Sequence, residues 1–193
     1  MKYLFFLLVL VAAMLAVFFS FTSSYMVCSD AETRMRHARV QLTQEVLRMG
    51  ELVPGIAALY YRYGTNGARV VTEAEQARAE LERQRSPRIM ARAHAALQRA
   101  MDTMTAEISR DARARRHVKY RDLMEALNDT TQRIAFLQQQ YNEAVAVYNQ
   151  LLDAPQPTLW RNLMGMTNAE PFLATSSAPA APAPRDAQPR PAH

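Results

Sequence analysis

The stretch 123-LMEALNDTTQRIAFLQQQYNEAVAVYNQLL-152 decides the fold. Through it runs an apolar stripe of Leu123, Leu127, Ile134, Leu137, Tyr141, Val145, Tyr148 and Leu152, with steps of three, four or seven throughout. Steps of that size place side chains on one face of an α-helix, and a face this long is what coiled-coil-like packing in a bundle requires. Within it the dipeptide Tyr-Asn occurs at 141–142 and again at 148–149, one heptad later. Tyr141 and Tyr148 share the face of Ile134 and Val145, so they supply core area and bring hydroxyls that need partners. Asn142 and Asn149 sit one step round, at the edge of the seam, where amides can bond an adjacent helix. The repeat reads as a packing and register element rather than a catalytic site.

Similar stripes run through the preceding sequence. Met35, Ala38, Leu42, Val46, Met49, Val53, Ile56, Tyr60 and Tyr63 form one, and Val70 or Val71, Ala74, Ala77 and Leu81 form a second. Met90, Ala93, Leu97, Met101, Met104 and Ile108 form a third. Gly64-Thr65-Asn66-Gly67 separates the first from the second and suits a helix stop or turn. Ser86-Pro87 reads as a cap followed by proline in a first helical turn. Pro155 and Pro157 close the last helix. The composition agrees: good helix formers dominate, and glycine occurs five times in 193 residues.

The chain is therefore expected to be all-α. If Gly64–Gly67 is a turn, residues 30–173 make an antiparallel four-helix bundle whose first and last helices, each about 50 Å long, pair along their length. If residues 30–85 are one continuous helix, three long helices result, and the lower half of the first loses its partner. The four-helix arrangement covers more apolar surface and is preferred. In it, Pro54 interrupts the hydrogen bonding of the first soluble helix and frees the Gly50 carbonyl. Arg133 or a neighbouring threonine is positioned to donate to that carbonyl.

Residues 1–29 carry a different signal. The run 4-LFFLLVLVAAMLAVFFSF-21 holds no charge, and as a helix its length of roughly 27 Å approaches the hydrocarbon core of a bilayer. Its length and the weak cleavage site after it favour an uncleaved single-span anchor over a removed signal peptide. Tyr25 falls where an interfacial aromatic sits. Lys2 lies on one side and Arg34, Arg36 and Arg39 on the other, leaving orientation open. The single cysteine, Cys28, excludes an intrachain disulfide, and Val27 before it fits lipidation poorly. Residues 174–193, rich in proline and alanine, read as a disordered tail.

Chemistry is scarce. His37, His94, His117 and His193 show no metal-ligand spacing, there is no glycine-rich phosphate loop, and Ser20, Ser23, Ser24 and Ser29 have no basic partner near them in sequence. No catalytic residue, cofactor or metal is expected. The net charge of +5 permits an anionic partner without requiring one. Arg110, Arg113, Arg115, Arg116, Lys119 and Arg121 form a basic run that reads first as a solvated inter-helix loop and second as a contact for an anion. With Tyr120 as its one interleaved aromatic, nucleic acid is an unlikely ligand. Trp160, Leu163 and Met164 can share the face of a short amphipathic helix, set either in the lipid interface or over the bundle end.

These features resemble the LemA family of bacterial membrane proteins. The resemblance rests on Thr130-Thr131-Gln132-Arg133-Ile134, the double Tyr-Asn with Val145, the segment Leu52-Val53-Pro54 followed by Ile56, and Leu163-Met164-Gly165-Met166 with Pro171-Phe172. The order of parts is also similar: short N-terminus, one span, helical domain. Three features depart from the family: no tryptophan at 31–38, Arg110–Arg116 in place of its usual turn, and the Gly64–Gly67 break. The resemblance implies a single-pass protein of the bacterial inner membrane, carrying a helical scaffold or adaptor of unsettled role. An accessory subunit of a membrane protease or envelope quality-control system is the alternative. Partner identity and oligomeric state stay open.

Overall fold

The structure is a computed structural model, and it describes residues 2–64, 67–83, 86–153 and 165–173, with the side chains of 2–6, 13 and 16–24 excepted. Among the described residues there are six helices and no strand: α1 (Lys2–Glu51), α2 (Val53–Tyr63), α3 (Gly67–Arg83), α4 (Pro87–Ile108), α5 (Ala112–Arg116) and α6 (Val118–Asp153). The chain is all-α, and Gly64–Gly67 separates two helices rather than lying inside one.

α1 runs unbroken through residues 29 and 30. No glycine or proline interrupts it before Gly50, and ion pairs Asp30–Arg34 (2.8 Å) and Glu32–Arg36 (2.6 Å) link successive turns. In both the acid precedes the base by four residues, the favourable orientation along a helix. Among the described residues no helix is long and apolar enough to cross a membrane; the span read at 4–21 falls largely on positions whose side chains lie outside the described set.

The first soluble helix is not continuous to Tyr63, as the stripe alone suggests. It breaks at Leu52, where the backbone N–H bonds Met49 O three residues back, and α2 restarts with Ile56 N–H on Leu52 O. Pro54 causes this, since it lacks an N–H and its ring crowds the preceding turn. The apolar face survives the break: Val46, Met49, Val53, Ile56 and Tyr60 are all buried.

At Gly64 the chain turns. A Cβ there would lie 2.7 Å from the Tyr60 ring and from the Tyr60 carbonyl oxygen. Gly67 then opens α3 with φ of 57°, in the left-handed region. α3 returns beside α1, with Arg78 packing over Gly50. α4 runs out again, starting level with Thr43, whose hydroxyl lies 3.7 Å from the Met90 sulfur. α6 comes back along α2 and α1, with the Leu123 side chain closing on Gly55. The bundle is thus antiparallel but unequal: α1–α2 and α6 are long, while α3 and α4 cover only the half nearest the turn at Gly64.

All four stripes face inward. Met90, Ala93, Leu97, Met101, Met104 and Ile108 are buried, as are Val71, Ala74, Ala77 and Leu81, and Ile134, Tyr141, Val145, Tyr148 and Leu152. The segment after α6 adds to what the stripes bury. Phe172, from the segment after α6, joins the main core, and a smaller cluster of Ala31, Tyr148 and Leu152 is covered by Met166 and Ala169 of the same segment.

Candidate functional site: a strap held by two asparagines

Residues 165–173 form an extended strap lying antiparallel on α6, with no helix or strand of its own. The Asn149 side chain makes two bonds to one strap residue: its Nδ2 donates to Ala169 O (3.0 Å), and Ala169 N–H donates to its Oδ1 (2.8 Å). One heptad earlier, Asn142 does the same for Phe172: its Nδ2 donates to Phe172 O (3.4 Å), and Phe172 N–H donates to its Oδ1 (2.8 Å). Gln138 Nε2 adds a bond to Phe172 O (3.1 Å), and the Tyr141 hydroxyl donates to Glu170 O (2.8 Å).

The spacing has a physical reason. Seven helical residues rise about 10.5 Å, and three extended residues cover about 10 Å. A heptad of α6 therefore matches the step from Ala169 to Phe172, and one amide side chain can read one backbone unit at each rung. The asparagines were expected to bond an adjacent helix; they bond the strap instead, because the neighbouring helices contribute backbones whose N–H and C=O groups are already paired within each helix.

The tyrosines do what the stripe implied, filling the core beside these rungs. Burial also pushes the Tyr141 hydroxyl's pKa up, so it stays a donor. At the inner end of the strap, Phe172 faces His94 with ring centroids 6.1 Å apart and planes at 53°. His94 is buried, its Nε2 finds no hydrogen-bond partner, and burial lowers its pKa from 6.5 to about 4. His94 lies on the α4 face that carries the stripe, four residues after Met90 and three before Leu97, so the helical spacing alone marks it for burial. The strap's other flank borders a groove of about 750 Å³ lined by the Glu32–Arg36 pair, Arg39, Tyr141 and Tyr148.

The remaining sequence-selected residues do not join this cluster. Arg133 pairs with Asp129 (3.1 Å) and the Thr131 hydroxyl donates to Leu127 O (2.8 Å), so both are engaged within α6 rather than at Gly50. Pro54 is exposed at the start of α2. The basic run is not a simple loop: residues 112–116 form the one-turn α5, pinned by the fully buried Ala114. Asp111 caps it, accepting from Arg113 N–H (2.7 Å) and pairing with its guanidinium (3.0 Å). The Arg113 side chain is the main reason the Asp111 carboxyl is held below its usual range. Arg110, Arg113, Arg115, Arg116, Lys119 and Arg121 are all exposed. Arg113 also senses Tyr63, which places the run at the Gly64 end of the bundle. Trp160 lies outside the described residues.

Fold and site together define an all-helical bundle protein whose distinctive polar residues hold its own C-terminal segment. The chain belongs to the LemA family, whose family model matches residues 38–184, bundle and strap together. No curated protein matches it.

Proposed function

We propose that this protein is a membrane-anchored helical scaffold or adaptor of the LemA type, working by presentation rather than by catalysis. The observation that carries this reading is the use to which the polar residues of α6 are put. Tyr141, Asn142 and Asn149 spend their hydrogen bonds on the backbone of the strap. That use stabilises a shape; it does not activate a nucleophile or position an acid and a base. The charge-free run at 4–21 supports an anchor in the bacterial inner membrane. On this reading α1 continues directly out of the bilayer, and the basic run at the Gly64 end stands away from the membrane, facing soluble partners.

Proximity labelling from the full chain in its native membrane, followed by pull-down, tests the proposal. Recurrent protein neighbours are the expected result, and they should lessen when Arg113, Arg115 and Arg116 are replaced by serine. Labelling confined to lipids, or a chain released from membranes by alkaline carbonate, would sink the reading.

A further inference from the structure

The strap is bound as a peptide ligand is bound. Both asparagine rungs and Gln138 address backbone atoms of the strap, at Ala169 and Phe172, and Tyr141 addresses the Glu170 carbonyl. Among the strap's side chains, Glu170, Pro171 and Leu173 are exposed, whereas Phe172 is buried in the core and Met166 and Ala169 pack on the cluster of Ala31, Tyr148 and Leu152. The groove on α6 therefore specifies an extended backbone, a small residue at one rung, two unconstrained residues, and an aromatic at the next. Backbone bonds supply affinity and alternate side-chain seats supply selectivity, as in other modes of extended-peptide capture.

We infer that this groove is a receptor for extended segments of the form small-x-x-aromatic, and that residues 165–173 are its tethered resident. The occupant to which the groove answers is a segment of a partner protein, not the strap of a second copy. A tethered ligand acts at an effective concentration on the order of millimolar. An identical strap from another molecule makes the same bonds without that advantage, so it cannot displace the resident. A partner segment with a better-fitting aromatic over His94 can. Its arrival would release the strap. This inference stands whether or not residues 4–21 anchor the chain.

The test uses the full chain in detergent micelles, with only the resident ligand disabled. Substituting Ala169→Pro and Phe172→Pro removes both N–H groups that donate to the asparagines, together with the aromatic ring, and changes no residue of α4 or α6. A fluorescent peptide of sequence GMTNAEPFLA should bind this variant saturably and at least tenfold more tightly than it binds the wild-type chain. Replacing the peptide's phenylalanine by alanine should remove binding, as should Asn142→Ala with Asn149→Ala in the same background. Should the strap-disabled chain be unfolded, adding the peptide should restore its thermal transition. Absence of both binding and rescue overturns the inference, as does binding indifferent to the asparagines. If unlabelled wild-type chain strips the peptide from the variant, the occupant is a second copy and the assignment to a partner segment is wrong.

Discussion

Asn142 and Asn149 each commit both ends of one amide to one backbone unit, so truncation removes two bonds and strands two strap groups at once. Net hydrogen-bond contributions near 1 kcal/mol apiece put either Asn→Ala substitution at a loss of about 1–3 kcal/mol. Because the rungs share one strap, the pair should not add. Once either is gone, the other holds a strap already partly free. Hydrogen exchange at the Ala169 and Phe172 amides should rise sharply in each variant, while the α4 amides stay protected. Asn→Asp is the sharper probe: the carboxylate still accepts the strap N–H but meets the strap carbonyl oxygen with no donor, so it should loosen the strap at least as much as alanine. His94 supplies a second residue-scale test. Its folded pKa of about 4 lies below its ordinary 6.5, so the folded state excludes a proton that the unfolded chain accepts. Stability from this group is complete above about pH 6.5 and is lost as pH falls toward 4, by about 3 kcal/mol in all. A His94→Leu chain should lose that much less stability between pH 7 and pH 4 than the wild type, in denaturant titrations run at both values; equal losses would show that the buried imidazole does not titrate as its surroundings demand.

At the scale of elements, what the sequence made legible follows from how each element buries itself. Helices that hide one face leave a three-and-four rhythm, and the stripes of α1 to α4 and α6 could be read from it residue by residue. The turn at Gly64–Gly67 was legible because two glycines in four residues have few other uses. α5 was not, because it buries only Ala114 and its other side chains are basic or exposed. The strap was not either: an extended segment held through its backbone needs only two constrained side chains, and the signal lay on the receptor, in the repeated Tyr-Asn, rather than on the ligand. The turn carries its own prediction. Gly64 has φ of −83° and ψ of 161°, open to any residue, so glycine is required there by the close approach to Tyr60 and not by conformation. Gly67 is the reverse case, with a left-handed φ and open space around it. Gly64→Ala should therefore cost about 1–3 kcal/mol through overpacking, and Gly67→Ala about 1–2 kcal/mol through the backbone. Asparagine, which tolerates the left-handed region, should partly rescue position 67 and not position 64. Urea midpoints read all four variants.

Over the whole molecule, the unequal helix lengths produce two zones of different construction. From Thr43 to Gly64, α1 and α2 are packed by α3, α4 and α6, and the large side chains Met49, Ile56, Leu97, Met101, Met104, Ile108 and Ile134 are buried among them. From Ala31 to Leu42, α3 has ended and α4 reaches only with its start, Pro87 lining the same groove as Met35, Arg36 and Arg39, so much of one flank of α1 and α6 would face water were it not for the strap. The small cluster of Ala31, Tyr148 and Leu152 is closed by Met166 and Ala169. The strap therefore substitutes for a missing pair of helices, which explains why the Tyr-Asn repeat falls in this zone and nowhere else on α6. Local opening free energies track buried apolar contact, so the two zones should not unfold as one. In native-state hydrogen exchange, amides of α4 and of α6 from 127 to 137 should open only with global unfolding. Amides of α6 from 145 to 152, and of α1 from 31 to 38, should open at lower denaturant, and that gap should widen in the Asn142→Ala/Asn149→Ala chain while the α4 values hold. If the double substitution lowered both zones equally, the strap would be part of one cooperative core, and the idea of a separable, exchangeable cover over the α1–α6 end would fall with it.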